Sequence, residues 1–203
     1  VLRIMLGRQK ELHLFGPEGF MENVEGKLAG YAWNLVGNDA YPLVLRITEA
    51  GSDRLKSRRY RCRDRFQPAG GPVESAFEGK LLEEPSLTVS GAVLDHRISC
   101  LGLAVEERFH IHILKDRVAE MGAAPGPWLG KFKTAVYDGL PPDTPFRAPC
   151  GTGEEKRFSL ETLAKRIARI TPGQKIAYIT DAMYTPENQE RIVSLSRDAD
   201  HLF

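Results

Sequence analysis

KIAYITDAMYTPENQERIVSLSR, Lys175–Arg197, decides the fold. Its first six residues, KIAYIT, are apolar and β-rich, the pattern of a central strand. Thr185 offers a side-chain oxygen for an N-cap, and Pro186 suits the first helical position. A helix is expected from there to about Arg197, with Ile192, Val193 and Leu195 as its apolar side. Asp181 stands between strand and helix. Ligands of open α/β sheets gather beyond the carboxyl ends of strands. An acidic residue there can hold a metal ion or a proton, and it can equally cap a turn or the helix.

Upstream of this unit, Leu160–Ile170 reads as an amphipathic helix. Leu160, Leu163, Ala164, Ile167 and Ile170 share one face, Lys165, Arg166 and Arg169 avoid it, and Ser159 is its N-cap. The proline-rich stretch Asp138–Gly153 and the stretch Met121–Gly130 (MGAAPGPWLG) read as loops. Lys115–Met121 is a short helix. Towards the start, strands are expected at Leu12–Phe15, Leu43–Thr48, Arg58–Phe66, Leu87–Leu94 and Leu101–Val105, with a turn at Phe66–Pro72. Gly16-Pro17 is expected to open a helix to about Gly30, with Phe20, Val24 and Leu28 at spacing four. Early strands followed by helix–strand alternation predict an α/β layered fold.

The 203 residues suit one ordinary domain, or one domain with an appendage, and 42% hydrophobic content suffices for a core of normal size. Lys and Arg total 28 against 27 Asp and Glu, so a globally basic nucleic-acid coat and an acidic disordered tail are both excluded. A local basic patch is not. The longest uncharged run, Leu28–Asn38, is too short to cross a membrane as a helix. Cys62, Cys100 and Cys150 are odd in number and form no C-x-x-C pair, which argues against a disulfide scaffold or thiolate zinc site and fits a reducing cytoplasm. The chain opens on VLRIML and closes on HLF. Natural termini are usually polar, so the expectation is the middle portion of a longer protein.

Four further features carry candidate chemistry. His96, in LDHRIS at a strand end, is either a metal ligand or an ordinary surface or core imidazole. His110 and His112, in FHIHI, share one face if that segment is a strand, and two such rings suit a metal or simply a partly exposed strand. The run Arg54–Arg65, RLKSRRYRCRDR, holds seven Lys or Arg against one Asp. It suits phosphate binding or a charged strand edge. Pro125–Lys133, PGPWLGKFK, combines a rigid backbone, Trp128 as a stacking face, and the charges of Lys131 and Lys133. Such a loop suits an RNA backbone, or is a structural turn before a helix.

Six segments in this order resemble the ribonuclease Z family, tRNA 3′-end endonucleases of the metallo-β-lactamase superfamily. They are LHLFGPEGF (Leu12–Phe20), KLAGYAWNL (Lys27–Leu35), VLDHRISCLGLAVEE (Val93–Glu107), APGPWLGKFK (Ala124–Lys133), KIAYITDA (Lys175–Ala182) and RDADHLF (Arg197–Phe203). The resemblance implies an α/β fold of the αββα metallo-β-lactamase sandwich type, incomplete at both ends over residues 1–203, with a substrate-recognition arm at about 108–134. It implies a zinc-dependent hydrolase with two zinc ions, a precursor tRNA substrate, a cytoplasmic location, no membrane, and homodimerisation. The strand-end His96 matches a ligand of one zinc and Asp181 the carboxylate that bridges both. Gly126, Pro127, Lys131 and Lys133 match substrate-binding positions, while His110 and His112 fall at the base of the arm. In the family a zinc-activated hydroxide attacks the phosphorus at the tRNA 3′ end.

The sequence departs from the family pattern. The hallmark His-x-His-x-Asp-His run, expected before LHLFGP, does not occur, nor do the metal-binding and catalytic His residues expected after Phe203. Two metal ligands do not complete a zinc centre. Two other readings therefore stand beside the nuclease: a phosphodiesterase of the same superfamily acting on a non-tRNA substrate, and a non-catalytic RNA- or partner-binding relative. A lactonase or thioesterase ranks below them, because those relatives lack the Pro-Gly-Pro arm. The basic run at Arg54–Arg65 matches no family motif and receives no role.

Overall fold

The computed structural model of the chain describes residues 11–34, 36, 43–68, 70–150 and 154–203. The apolar opening VLRIML lies outside them. The chain is mixed α/β and divides into two compact units. The first ends its opening stretch at Leu81 and adds Val89–Ala104 and Ala177–Phe203; the second takes Leu82–Thr88 and Val105–Ile176.

The first unit begins with β1 (Leu12–Pro17) and α1 (Phe20–Ala29), followed by β2 (Val44–Ala50), β3 (Arg54–Arg61) and β4 (Val73–Ala76). These strands form one sheet in the order β1-β2-β3-β4, parallel between β1 and β2 and antiparallel elsewhere. Gly16-Pro17 closes β1 instead of opening the helix, which starts three residues later. A Cβ at Gly16 would come within 2.2 Å of the Phe20 ring, so this turn requires glycine. Glu49 accepts from the backbone N of Met21 at 2.7 Å and so caps the helix from a neighbouring strand.

Period-2 alternation gives the sheet two different faces. Leu45, Ile47 and Tyr60 pack with Met21, Phe20, Val24 and Leu28 of α1. Glu25 of that helix accepts from Arg58 Nη1 at 2.7 Å and from the Tyr60 hydroxyl at 2.5 Å. Burial and the Glu25 carboxylate hold the Tyr60 phenol well above its ordinary pKa. On the opposite face Ala50 and Leu55 join Phe77, Leu81, Val89, Val93, Leu101 and Leu103 in a second cluster. The expected strand Arg58–Phe66 is displaced: β3 ends at Arg61, and Cys62–Asp64 form a 3-10 turn whose exit places Arg65 and Phe66 at φ 55° and 56°.

The chain continues through β5 (Lys80–Glu84), β6 (Leu87–Asp95) and β7 (Ser99–Glu107). Next come β8 (Phe109–Ile113), α2 (Lys115–Glu120), α3 (Trp128–Tyr137), β9 (Pro145–Pro149), β10 (Glu155–Ser159), α4 (Leu160–Ile167) and β11 (Ala168–Pro172). It closes with β12 (Lys175–Tyr178), α5 (Pro186–Ser196) and β13 (His201–Leu202). The second sheet has the order β13-β12-β7-β6-β5.

The second unit has its own core, in which Ile111, Val118, Trp128, Phe132, Leu163 and Ile167 are buried together. Two antiparallel pairs, β8 with β11 and β9 with β10, flank it. Ser159 caps α4 as expected, accepting from Thr162 N at 3.2 Å. The helix stops at Ile167, three residues before the expected end. Residues 168–172 leave it to pair with β8, and Leu114 N donates to Ile167 O at 2.8 Å. Ile170, expected on the helix's apolar face, is 53% exposed on that strand. Val193, expected on the apolar side of α5, is likewise exposed. The prolines of 138–153 predict a loop, yet β9 lies within it. Proline is tolerated at strand ends, and β9 begins and ends with one. The three cysteines are free. No helix among the described residues is long and apolar enough to cross a membrane.

Candidate metal ligands and substrate arm

β6 ends at Asp95 and the chain reverses tightly. Arg97 adopts φ 64°, its backbone N donates to Asp95 Oδ1 at 2.7 Å, and His96 N donates to Ile98 O at 2.9 Å. This turn presents His96 to solvent. Asp181 lies just past the end of β12 and is also exposed. The two strand ends are tied together by a residue the sequence reading passed over. Asn188, in the first turn of α5, is 1% exposed. Its Oδ1 accepts from Asp95 N at 3.0 Å, and its Nδ2 donates to Asp95 O and Met183 O, each at 2.8 Å. Met183 N donates to Asp95 O at 2.8 Å. Thr185 Oγ1, the expected N-cap, accepts from Asn188 N at 3.2 Å. The turn carrying His96 and the loop carrying Asp181 are thus joined through one buried amide. A polar side chain three residues after an N-cap is ordinary in sequence; only its burial marks it.

These residues do not by themselves make a zinc centre. Among the described residues no group of three or more His, Cys, Asp or Glu is arranged to hold a metal ion. Catalytic zinc takes three protein ligands, and the two expected ones, His96 and Asp181, would fall one short.

Pro125–Lys133 is not a projecting loop over its whole length. Its last six residues, Trp128–Lys133, are the first six of the ten in α3. The carbonyls of Gly126 and Pro127 accept from Leu129 N and Gly130 N at 3.1 Å each, so both residues build the first turn of that helix. Trp128, expected as a stacking face, is instead 8% exposed, and its Nε1 donates to Ala124 O at 2.8 Å. Its ring supplies apolar area to the core of the second unit, which outweighs its availability to a base. Lys131 is exposed and Lys133 half-buried. Two residues apart on a helix, they diverge by about 200° and do not form one cationic patch.

His110 and His112 do share a face of β8, with ring centroids 4.3 Å apart. His110 Nδ1 lies 2.8 Å from Glu107 Oε1, and His112 Nε2 lies 3.3 Å from Thr171 Oγ1. Desolvation, then the positive charges of His110, Arg169 and Lys133, lower the His112 pKa, while Glu107 opposes them. The cluster is an intrachain network between β8 and β11.

No protein-family model matches the chain. Over 194 residues it is 25% identical to a protein named ribonuclease Z from Deinococcus radiodurans, covering 95% of this chain and 54% of that protein. Over 205 residues it is 27% identical to one named ribonuclease BN from Cronobacter sakazakii, covering 98% of this chain and 49% of that protein. A ribonuclease Z from Pediococcus pentosaceus is 30% identical over 122 residues, 60% of this chain and 36% of that protein. The chain spans about half the length of the first two. By these matches it resembles the ribonuclease Z proteins over nearly its own length and about half of theirs.

Proposed function

We propose that this chain is part of a metal-dependent endoribonuclease of the ribonuclease Z kind, acting at the 3′ end of precursor tRNA in the cytoplasm. The observation that carries the reading is the end-to-end match to proteins named ribonuclease Z and ribonuclease BN. On this reading the two sheets are the inner layers of an αββα sandwich. The shared cluster of Ala50, Leu55, Val93 and Leu101 supports that arrangement, as does the packing of α1 behind the first sheet.

His96 and Asp181 are proposed as zinc ligands, the second as a bridging carboxylate. The described residues fall short of a closed site, so no catalytic step is assigned to them. Their part is positional. A neutral imidazole and an ionised carboxylate are the ligating forms, and the Asn188 network fixes the backbones that present them. Gly126, Pro127, Lys131 and Lys133 are proposed as the substrate contacts of an arm at about 108–134. Exposed Lys131 makes the direct phosphate contact, and Gly126 and Pro127 set the start of the helix that carries it.

The test is cleavage of a precursor tRNA by the purified protein, with zinc content measured in parallel. Cleavage at the 3′ end, lost in His96→Ala and Asp181→Ala together with bound zinc, is the expected result. Faster cleavage of a small phosphodiester than of tRNA would identify the superfamily phosphodiesterase instead. RNA binding without zinc or cleavage would identify the non-catalytic relative.

A further inference from the structure

The basic run Arg54–Arg65 takes no part in the site above, yet β3 places it beside a groove of the first unit. Along the β2–β3 ladder, side chains on one face change character in register. Ala50 opposes Leu55, Thr48 opposes Ser57, Arg46 opposes Arg59, and Val44 opposes Arg61. The face therefore passes from apolar, through hydroxyl, to cationic within four cross-strand pairs. The apolar end belongs to a core cluster. The cationic end opens on a groove of about 530 Å³ lined by Arg46, Arg59, Arg61, Ser57, Gln67 and Ser75.

Like charges directly opposite on a sheet destabilise it. Arg46 and Arg59 are held together by Glu11, whose two oxygens accept from Arg46 Nε at 2.5 Å and Arg59 Nε at 3.2 Å. One carboxylate offsets two guanidiniums, leaving one positive charge. Arg61 adds a second, since no ion pair is found for it among the described residues. Arg58, which also lines the groove, is neutralised by Glu25. Asp64, the one acid among the described lining residues, sits 3.7 Å from Arg63. A net positive groove with forked donors, two hydroxyls and an amide suits phosphate oxygens. None of its described lining residues is aromatic, so these offer bases no stacking platform.

We propose that this groove binds the phosphate backbone of an RNA strand, with Arg59 and Arg61 as the principal contacts and no preference for base sequence. The assignment rests on the reading of the protein as one that acts on RNA, and adds a contact surface separate from His96, Asp181 and the α3 lysines.

The test measures binding of a labelled single-stranded RNA by fluorescence anisotropy at about 50 to 300 mM salt, over which phosphate contacts weaken steeply. Arg59→Gln/Arg61→Gln is expected to weaken binding roughly tenfold at the lowest salt. It should reduce the slope of log K against log salt by about 1.4, or about 0.7 per contact. Runs of A and of U should bind alike. Arg61→Glu alone keeps the Glu11 bridge and serves if the double variant does not fold; it too should weaken binding. Unchanged affinity and slope in folded variants would overturn the proposal. So would a groove that binds inorganic phosphate while Arg61→Glu leaves RNA binding intact. Precursor tRNA cleavage separates the two readings. A protein that cleaves normally with RNA affinity unchanged in the variants loses the groove and keeps the nuclease. One that cleaves nothing yet binds RNA through Arg59 and Arg61 loses the nuclease and keeps the groove.

Discussion

Asn188 makes a two-point hydrogen bond to the backbone of Asp95, accepting from its N at 3.0 Å and donating to its carbonyl at 2.8 Å. The two residues are 93 positions apart. One amide thus reads both polar groups of a strand end and transfers their position to the helix that follows Asp181.

Asn188→Ala removes three hydrogen bonds and leaves Asp95 N without its partner. Loss of buried partners costs about 1–3 kcal/mol each where the group left behind stays dry. A loss of roughly 2–4 kcal/mol is expected in urea denaturation. Asn188→Asp keeps the acceptor for Asp95 N but turns an oxygen on two carbonyls, so it should be at least as damaging at neutral pH. A loss below about 0.5 kcal/mol, the ordinary range for surface changes, would mean the clamp is incidental.

Gly173 sits between β11 and β12, where a Cβ would lie 1.7 Å from the carbonyl oxygen of Glu107. That neighbour is backbone and cannot swing aside. Gly173→Ala should cost about 1–3 kcal/mol through forced displacement. The second unit should show it first, as faster amide exchange along β8 and β11.

Trp128 is buried and hydrogen-bonded, so its emission should resist quenching. With Trp33→Phe as background, acrylamide should quench the remaining fluorescence weakly, and added RNA should not change it. Strong quenching by either would restore Trp128 as an exposed stacking face. Trp128→Ala should destabilise by about 3–5 kcal/mol, as for other large aromatic truncations in a core.

His13 links β1 to the polar band of the first sheet, with Nε2 2.9 Å from Thr48 Oγ1, which in turn lies 2.7 Å from Ser57 Oγ. Burial, then the positive charges of Arg46 and Arg59, hold its pKa below the ordinary 6.5, while Glu11 pulls the other way. The unfolded chain therefore takes up the proton first as pH falls. Its contribution to stability is complete above pH 6.5 and is lost as pH drops through that value towards the folded pKa. Melting temperatures should fall between pH 7 and pH 5, and His13→Gln should flatten that part of the profile. An unaltered profile in the variant would show that another group carries the acid response.

Much of the local structure was legible in the sequence. Ser159 before a period-3.6 face, and Thr185-Pro186 before another helix, are signals that act within one turn. The alternation in β6 and β7 acts within one strand. His96 and Asp181 could be placed at strand ends for the same reason. The Asn188 clamp could not, because an Asn inside a helix looks like any polar surface residue until the turn at Asp95 is packed over it. Nor could the divergence of Lys131 and Lys133, since Gly126, Pro127 and Gly130 read as loop residues. What makes residues 128–133 helical is the burial of Trp128 and Phe132.

The sequence by itself determined the α/β character, the caps at Ser159 and Thr185, most strand positions and the resemblance to ribonuclease Z, all carried by short-range pattern. Tertiary structure alone decided that α4 stops at Ile167, because β8 offers residues 168–172 a full ladder of backbone hydrogen bonds. It also decided that the basic run becomes a groove. Arg46, Arg59 and Glu11 meet only once β1, β2 and β3 are in register, and a charge pattern along one strand does not reveal what stands across from it.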